Sequence, residues 1–194
     1  MKSLARYLCV VVAGLALSLG ARAASDVNEA PVLLVAKPSM GAFYGRTVLL
    51  VRPIGGGRHI GFIVNRPTRV KMDQLFPEHQ ESTKLSGPVF LGGPVHMDVL
   101  FALVRSQDAV DANGLAMTDD LKLVMDARAV DKVVKENRND LRIYAGLVAW
   151  MPGELQMELE RGFWYVVDQD PALVMRASTE GLWEELVARS RPMV

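Results

Sequence analysis

Residues 61–67 (GFIVNRP) end an apolar run in an amide, a guanidinium and a proline. Because proline cannot donate a ladder hydrogen bond, the strand must stop before Pro67. Asn65 at such a strand end commonly turns its side chain onto the following backbone, a structural role that needs no ligand. The functional alternative is that Asn65, Arg46 and the backbone of Gly92-Gly93 converge on one pocket for a small anion or polar ligand. The candidate ligand-binding residues are therefore Arg46, Asn65, Arg66, Gly92, Gly93 and Pro94.

Two other patterns suggest catalysis or nucleotide binding only weakly. The run Gly55-Gly56-Gly57 lacks the lysine and hydroxyl of a phosphate-binding loop, and no helical pattern follows it, so it predicts a hairpin connection. Ser86 and His96 flank the Gly92-Gly93 bend, but no third orienting group and no G-x-S-x-G elbow accompany them. No catalytic residue is assigned, and a hydrolase with an unrecognised site stays an alternative.

Metal-binding patterns are equally weak. Glu154 and Glu158 lie at i, i+4 on a predicted helix, where they could hold a metal or work as acid and base. Arg161 falls beside Glu158 on that face, which favours a solvated ion-pair face instead. The sequence predicts no metal site and no cofactor, since the histidines are widely spaced, at His59, His79 and His96.

The first 23 residues have the pattern of a secretory signal. Lys2 and Arg6 precede a charge-free apolar run at residues 8–19, and small residues flank Arg22. We expect cleavage between Ala23 and Ala24, which places the mature chain in the periplasm or outside the cell. The run is too short for a permanent membrane anchor. A cytoplasmic location, with the segment uncleaved, is the alternative.

Composition limits the classes of partner. Cys9 is the only cysteine and lies in the predicted signal, so residues 24–194 are expected to form one domain without disulfides. Removing three basic residues with the signal leaves 19 of the 22 basic residues against 22 acidic ones. That balance provides no basic surplus for releasing counterions from nucleic acid, which makes nucleic acid an improbable partner.

Apolar periodicity predicts an α+β domain, because strands outnumber helices and do not alternate with them. Eight runs predict strands, at residues 31–36, 47–52, 60–65, 88–91, 99–104, 121–125, 141–149 and 163–167. Helices are predicted at residues 127–137, 153–161 and 180–188, with a short one around 72–76.

Four segments in register resemble the YqgE/AlgH family of bacterial proteins. They are the opening LLVAKP with the following strand, residues 61–67 (GFIVNRP), residues 90–95 (FLGGPV) and residues 145–164. The last block carries the family-motif residues Trp150, Gly153, Glu158 and Trp164.

The resemblance implies a single domain whose bent, mostly antiparallel sheet forms a pseudo-barrel with helices packed around it. It does not imply an enzyme, because the family has no established activity or cofactor, and some members have been linked to transcriptional regulation. We therefore expect a non-enzymatic exported binding or accessory protein of the cell envelope, whose partner is a small ligand or an envelope protein. A cytoplasmic transcription-associated regulator is the alternative from another class.

Overall fold

The computed structural model describes residues 26–75, 77, 87–105, 114–135 and 140–190. The predicted signal peptide, Phe76, His79 and Ser86 lie outside these ranges. Within them, no helix combines the length and apolar character needed to cross a membrane.

Strands dominate the described chain. The strands are β1 (Val32–Ala36), β2 (Val48–Pro53), β3 (His59–Ile63), β4 (Pro67–Lys71), β5 (Pro88–Leu91), β6 (Val95–Arg105), β7 (Leu115–Ala116), β8 (Leu121–Val124), β9 (Leu141–Trp150) and β10 (Trp164–Asp168). The helices are α1 (Met72–Leu75), α2 (Ala127–Lys135), α3 (Glu154–Glu160), α4 (Pro171–Val174) and α5 (Leu182–Ser190).

The strands form a curled sheet in the order β10-β1-β2-β3-β9-β6-β8-β7, while β4 and β5 attach to it at β9. Among the described strands, every pairing is antiparallel except that between β5 and β9. The predicted α+β class and the bent, mostly antiparallel sheet are confirmed.

Both faces of the sheet are covered, which explains why β1 (VLLVA) is buried at every position. Successive residues of a strand point to opposite faces. Leu33 and Val35 pack in a cluster with Phe62 and α5, whereas Leu34 and Ala36 pack in a second cluster with α3. A third cluster lies between α2 and the strands β6 and β9.

The glycine run closes the hairpin between β2 and β3, as predicted. Gly55, Gly56 and Gly57 all have positive φ, at 84°, 61° and 70°, which side chains disfavour. The Ile54 N–H donates to the Arg58 carbonyl at 3.0 Å and completes the turn.

The sequence pattern misses strands β4 and β7 and helix α4. It predicts that a strand ends before Pro67, and β3 ends at Ile63, but Pro67 also opens β4 opposite Phe90. The first position of a strand tolerates proline because its missing N–H is not needed there. Strand β6 begins four residues earlier than predicted, since an irregularity between Val95 and Leu100 interrupts its apolar alternation.

Candidate functional site

The predicted ligand residues Arg46, Asn65, Arg66, Gly92 and Gly93 lie around the end of β3, a region that we call the strand-end junction, where hydrogen bonds join Asn65 to Arg46 and Ile63 to Gly92. The Asn65 side-chain oxygen accepts the Val48 N–H at 2.9 Å, and its amide nitrogen donates to the Arg46 carbonyl at 2.9 Å. The partner predicted for this amide, the following backbone, was therefore wrong. Asn65 instead binds the backbone that leads into β2, where Arg46 has an uncommon positive φ of 59°.

The two arginines of the junction point to aromatic side chains. The Arg46 guanidinium forms an ion pair with Glu184 and lies 4.8 Å from the Trp183 ring centroid. The Arg66 guanidinium lies 5.0 Å from the Phe43 ring centroid. Burial lowers the pKa of Arg66. Both guanidinium groups thus have intramolecular contacts of the kind that orient an arginine.

Close backbone approach explains the glycines. Gly92 accepts the Ile63 N–H at 2.8 Å and donates to Ala145 at 2.9 Å. A Cβ on Gly92 would lie 2.2 Å from the Gly146 carbonyl oxygen, and one on Gly93 would lie 2.2 Å from the Leu147 carbonyl group. Pro94 follows, exposed to solvent. The polar groups of Asn65 and Gly92 already have partners within the fold, and a ligand-binding role for the junction stays a prediction.

Three of the four family-motif residues form one hydrogen-bonded unit. One carboxylate oxygen of Glu158 accepts both indole N–H groups, from Trp150 at 3.0 Å and from Trp164 at 2.8 Å. The expected ion-pair face with Arg161 is therefore wrong for Glu158, whose carboxylate points into the fold. Gly153 precedes α3 with a φ of 85°.

The histidines within the described ranges do not form a metal site. His59 is buried and its Nε2 lies 3.0 Å from the Val27 carbonyl oxygen, whereas His96 is exposed with a φ of 53°. No group of three metal-binding side chains occurs among the described residues.

A cleft of about 470 Å³ lies where β5, β6 and β9 meet the turn that follows α4. We call it the arginine cleft. None of the residues predicted as ligand-binding lines it. Its lining residues are Gly87, Pro88, Phe90, Arg105, Asp140, Leu141, Arg142, Met175, Arg176 and Ala177.

Arg142 is the buried cation of this cleft, with 7% of its surface exposed. Its Nη1 donates to the Val64 carbonyl at 3.0 Å and its Nη2 donates to the Arg176 carbonyl. The guanidinium carbon lies 4.4 Å from the Phe90 ring centroid. Within the described ranges, no carboxylate forms an ion pair with Arg142. The positive charge is therefore buried against carbonyl dipoles and an aromatic face.

Arg176 differs from Arg142 in that its guanidinium has a carboxylate partner and stabilises the turn before α5. Nη1 lies 2.8 Å from a Glu185 carboxylate oxygen, Nη2 donates to the Glu180 carbonyl at 2.8 Å, and Nε donates to Ser178. The hydrogen bond from Arg176 lowers the pKa of Glu185. This ion pair fixes the wall of the cleft that carries Met175 and Ala177.

Tyr144 lies next to Arg142 on the same face of β9 and is fully buried. Its hydroxyl has no hydrogen-bond partner of ordinary geometry in the described part of the chain. Burial raises the pKa of Tyr144, and the nearby charge of Arg142 opposes part of that rise. Tyr144 does not itself line the cleft, but it places a buried hydroxyl beside the Arg142 guanidinium.

Comparison with known proteins identifies the family. The sequence profile described as AlgH-like matches residues 33–193. The chain belongs to the AlgH-like family. Relatives named UPF0301 protein occur in Streptomyces avermitilis, at 32% identity over 164 residues, and in Streptomyces coelicolor, at 30% over 164 residues. Each alignment covers 82% of this chain and 85% of the relative.

Two solved structures share the fold of this AlgH-like chain. A Corynebacterium diphtheriae protein superposes with a TM-score of 0.70 at 24% identity, covering 87% of this chain and 91% of that one. The AlgH protein of Pseudomonas aeruginosa gives a TM-score of 0.68 at 22% identity, covering 82% and 87%. At these identities the likeness shows the fold alone.

Sequence reasoning missed Arg142, although the sequence contains a signal for it. Arg142 is the single charged residue in the ten-residue strand β9 (LRIYAGLVAW). It has the same parity along the strand as the buried Tyr144, which places it on the same face. A charge on the inward face of an apolar strand indicates a specific role.

Proposed function

We propose that this chain is an exported, non-enzymatic binding protein of the cell envelope, and that its arginine cleft holds a small anionic ligand. The observation that carries the proposal is Arg142, a buried guanidinium beside an open cleft with no carboxylate partner among the described residues.

Electrostatics supports an anion at this position. Burying a charge costs several kcal/mol unless the charge is paired, and carbonyl dipoles compensate for only part of that cost. Two carbonyl oxygens do not use all the N–H groups of a guanidinium, so further donors exist for an incoming oxyanion. An anion bound there would have a charge-assisted hydrogen bond in a partly desolvated site.

The composition of the cleft favours binding over catalysis. The described residues that line it include one carboxylate, Asp140, and no serine, cysteine or histidine. Nucleophilic catalysis requires a nucleophile and a base within hydrogen-bonding reach of each other. Arginines and apolar side chains instead suit the recognition of an anion.

Thermal unfolding with added anions tests the binding proposal. We would measure Tm with acetate, octanoate and phosphate at constant ionic strength, so that general screening cancels. We expect at least one of these anions to raise Tm in a saturable manner. The rise should disappear in Ala177→Glu, which adds a competing carboxylate at the exposed rim of the cleft.

The matched control is Ala172→Glu, which adds the same charge at an exposed position of α4 that does not line the cleft. It should respond to anions as the unmodified chain does. A Tm that none of the three anions raises would contradict the proposal, and so would an equal rise in Ala177→Glu.

Export is supported by the N-terminal sequence, with its basic start, apolar run and small residues before Ala24. Cell fractionation combined with intact-mass measurement of the native protein tests it. We expect a periplasmic or extracellular chain that begins at Ala24. A cytoplasmic chain that retains residues 1–23 would contradict export and make nucleic-acid binding the next property to measure.

A further inference from the structure

We infer that the ligand of the arginine cleft is an amphipathic monoanion, in which one terminal anionic group is attached to an apolar body. This inference rests on the proposed function and adds the chemical class of the ligand. Three properties of the cleft lead to it: its apolar lining, its volume and its charge balance.

About half of the lining surface is apolar. Five of its residues have apolar side chains and would contact the body of a ligand rather than its charge: Pro88, Phe90, Leu141, Met175 and Ala177. An inorganic oxyanion would leave these side chains in contact with water. An apolar body would remove them from water, which is favourable in proportion to the area covered.

The volume also favours an organic ligand. The cleft holds about 470 Å³. Clefts that bind organic molecules typically hold roughly 300 to 1,000 Å³, with a few polar groups that fix orientation. A phosphate or acetate ion alone would occupy only a small part of this space.

The charge balance favours a single negative charge. Three arginines line the cleft, against the carboxylate of Asp140 and that of Glu185, which is bound to Arg176. Among the described residues, these three positive and two negative groups leave one positive charge. A polyanion such as a nucleotide would bring more charge than the site neutralises, whereas a monoanion matches it.

The position of Arg142 places this charge beside the apolar wall. Its guanidinium lies 4.4 Å from the Phe90 ring centroid, so an anion bound to Arg142 has an apolar surface next to it. Met175, an unbranched side chain on the facing turn, can adapt to bodies of different shape. One bound molecule could therefore satisfy the cation and cover the apolar lining together.

Calorimetric titration of the purified native protein tests the inference with four probes: octanoate, acetate, inorganic phosphate and 1-octanol. Octanoate has both parts of the ligand, acetate and phosphate lack the apolar body, and octanol lacks the charge. We expect octanoate to bind about tenfold more tightly than acetate or phosphate, because burial of two methylene groups suffices for that ratio. We expect octanol to bind at least about tenfold more weakly than octanoate, because it cannot neutralise Arg142.

Two variants separate the contributions of charge and apolar body. Ala177→Glu should abolish octanoate binding, whereas the control Ala172→Glu should retain it. Met175→Gln keeps the length of the side chain but removes its apolar character. It should weaken octanoate binding severalfold and leave acetate binding unchanged.

The outcomes distinguish this inference from the proposed function. Acetate or phosphate binding as tightly as octanoate would overturn the inference and leave the anion site standing. The absence of binding by every anion would overturn both. Octanol binding as tightly as octanoate would also overturn both, because the cleft would then recognise apolar molecules without using Arg142.

Discussion

The strand-end junction and the arginine cleft differ in how completely their polar groups are paired. In the junction, the Asn65 amide is paired at both ends, and Gly92 uses both its N–H and its carbonyl group within the fold. In the cleft, Arg142 is buried without a carboxylate partner in the described ranges, and only carbonyl oxygens accept its N–H groups at Nη1 and Nη2. The GFIVNRP motif thus holds the backbone of the junction in place. The buried charge that has no carboxylate partner in the described ranges belongs instead to Arg142 in β9.

The two regions nevertheless touch. The Val64 carbonyl that accepts from Arg142 directly precedes Asn65, and the Arg66 carbonyl accepts the Leu91 N–H at 2.9 Å. Phe90, the aromatic wall of the cleft, pairs with Pro67. The junction therefore positions the cleft without lining it. Substitutions in the junction should lower stability, whereas substitutions in the cleft should lower ligand binding.

The largest effect is expected from Gly93→Ala in the junction. Its new Cβ would meet the Leu147 carbonyl group at 2.2 Å, and the obstacle is backbone that cannot rotate away. We expect a loss of about 3 kcal/mol or more in the free energy of unfolding, measured by urea denaturation. Gly41→Ala is the control, because a Cβ at that position would have no neighbouring atom within 4 Å among the described residues. Equal stability of the two variants would show that the close approach is not required.

The next effect is expected from Asn65→Ala, which leaves the Val48 N–H and the Arg46 carbonyl without their side-chain partners. The free energy of unfolding should fall by about 1 to 3 kcal/mol. Octanoate affinity should be retained, since Asn65 does not line the cleft. A fully stable variant that had lost octanoate binding would contradict this expectation and would show that the junction is the binding site.

Arg142→Met tests the role of the buried charge in the cleft. It removes a buried charge and two hydrogen bonds to carbonyl oxygens while keeping an unbranched apolar stem. Because relief from charge burial offsets the lost bonds, we expect stability without ligand to change by less than about 2 kcal/mol. The rise in Tm with octanoate should vanish. An undiminished rise would place the anion elsewhere.

The smallest effect at neutral pH is expected from Tyr144→Phe. This change removes a buried hydroxyl for which no hydrogen bond is found among the described residues, and it should change the free energy of unfolding by less than about 1 kcal/mol.

The unmodified chain and Tyr144→Phe should differ more in how their stability depends on pH. Burial raises the pKa of Tyr144 above its usual 10.0, so its stabilising contribution is complete below pH 10.0 and is lost as pH rises through the higher folded-state value.

Urea denaturation at pH 8 and at about pH 11 measures that difference. The unmodified chain should lose more stability than Tyr144→Phe between the two values, because the Tyr144 phenol ionises in the unfolded chain while burial opposes its ionisation in the folded chain. Parallel losses in both chains would show that Tyr144 does not carry the alkaline sensitivity.

Local pattern is sufficient to predict most of the sheet. Apolar runs identify β1, β2, β3, β5, β8, β9 and β10 to within one or two residues, because burial on both faces leaves continuous apolar strands. Strand β4 escapes prediction because four of its five residues are exposed and it begins with proline, so it has neither the composition nor the alternation of a strand.

The candidate site is less predictable, since its contacts join distant parts of the chain. The cleft exists because the turn after α4 packs near the start of β9, and no local pattern encodes that contact. The role predicted for Glu158 is wrong for a similar reason. Spacing within one helix suggests Arg161 as its partner, whereas the indoles of Trp150 and Trp164 come from the strands on either side of α3.

The place of β1 in the sheet has a consequence for folding. β1 lies between β2 and β10, so strands from near the two ends of the described chain are neighbours. Until β10 has been synthesised, the run VLLVA has an open edge and no charge to protect it, which favours aggregation of incomplete chains. Pairings between such distant segments also close slowly, on a timescale of roughly milliseconds to seconds. Incomplete chains are therefore expected to associate through the open edge of β1 until β10 pairs with it.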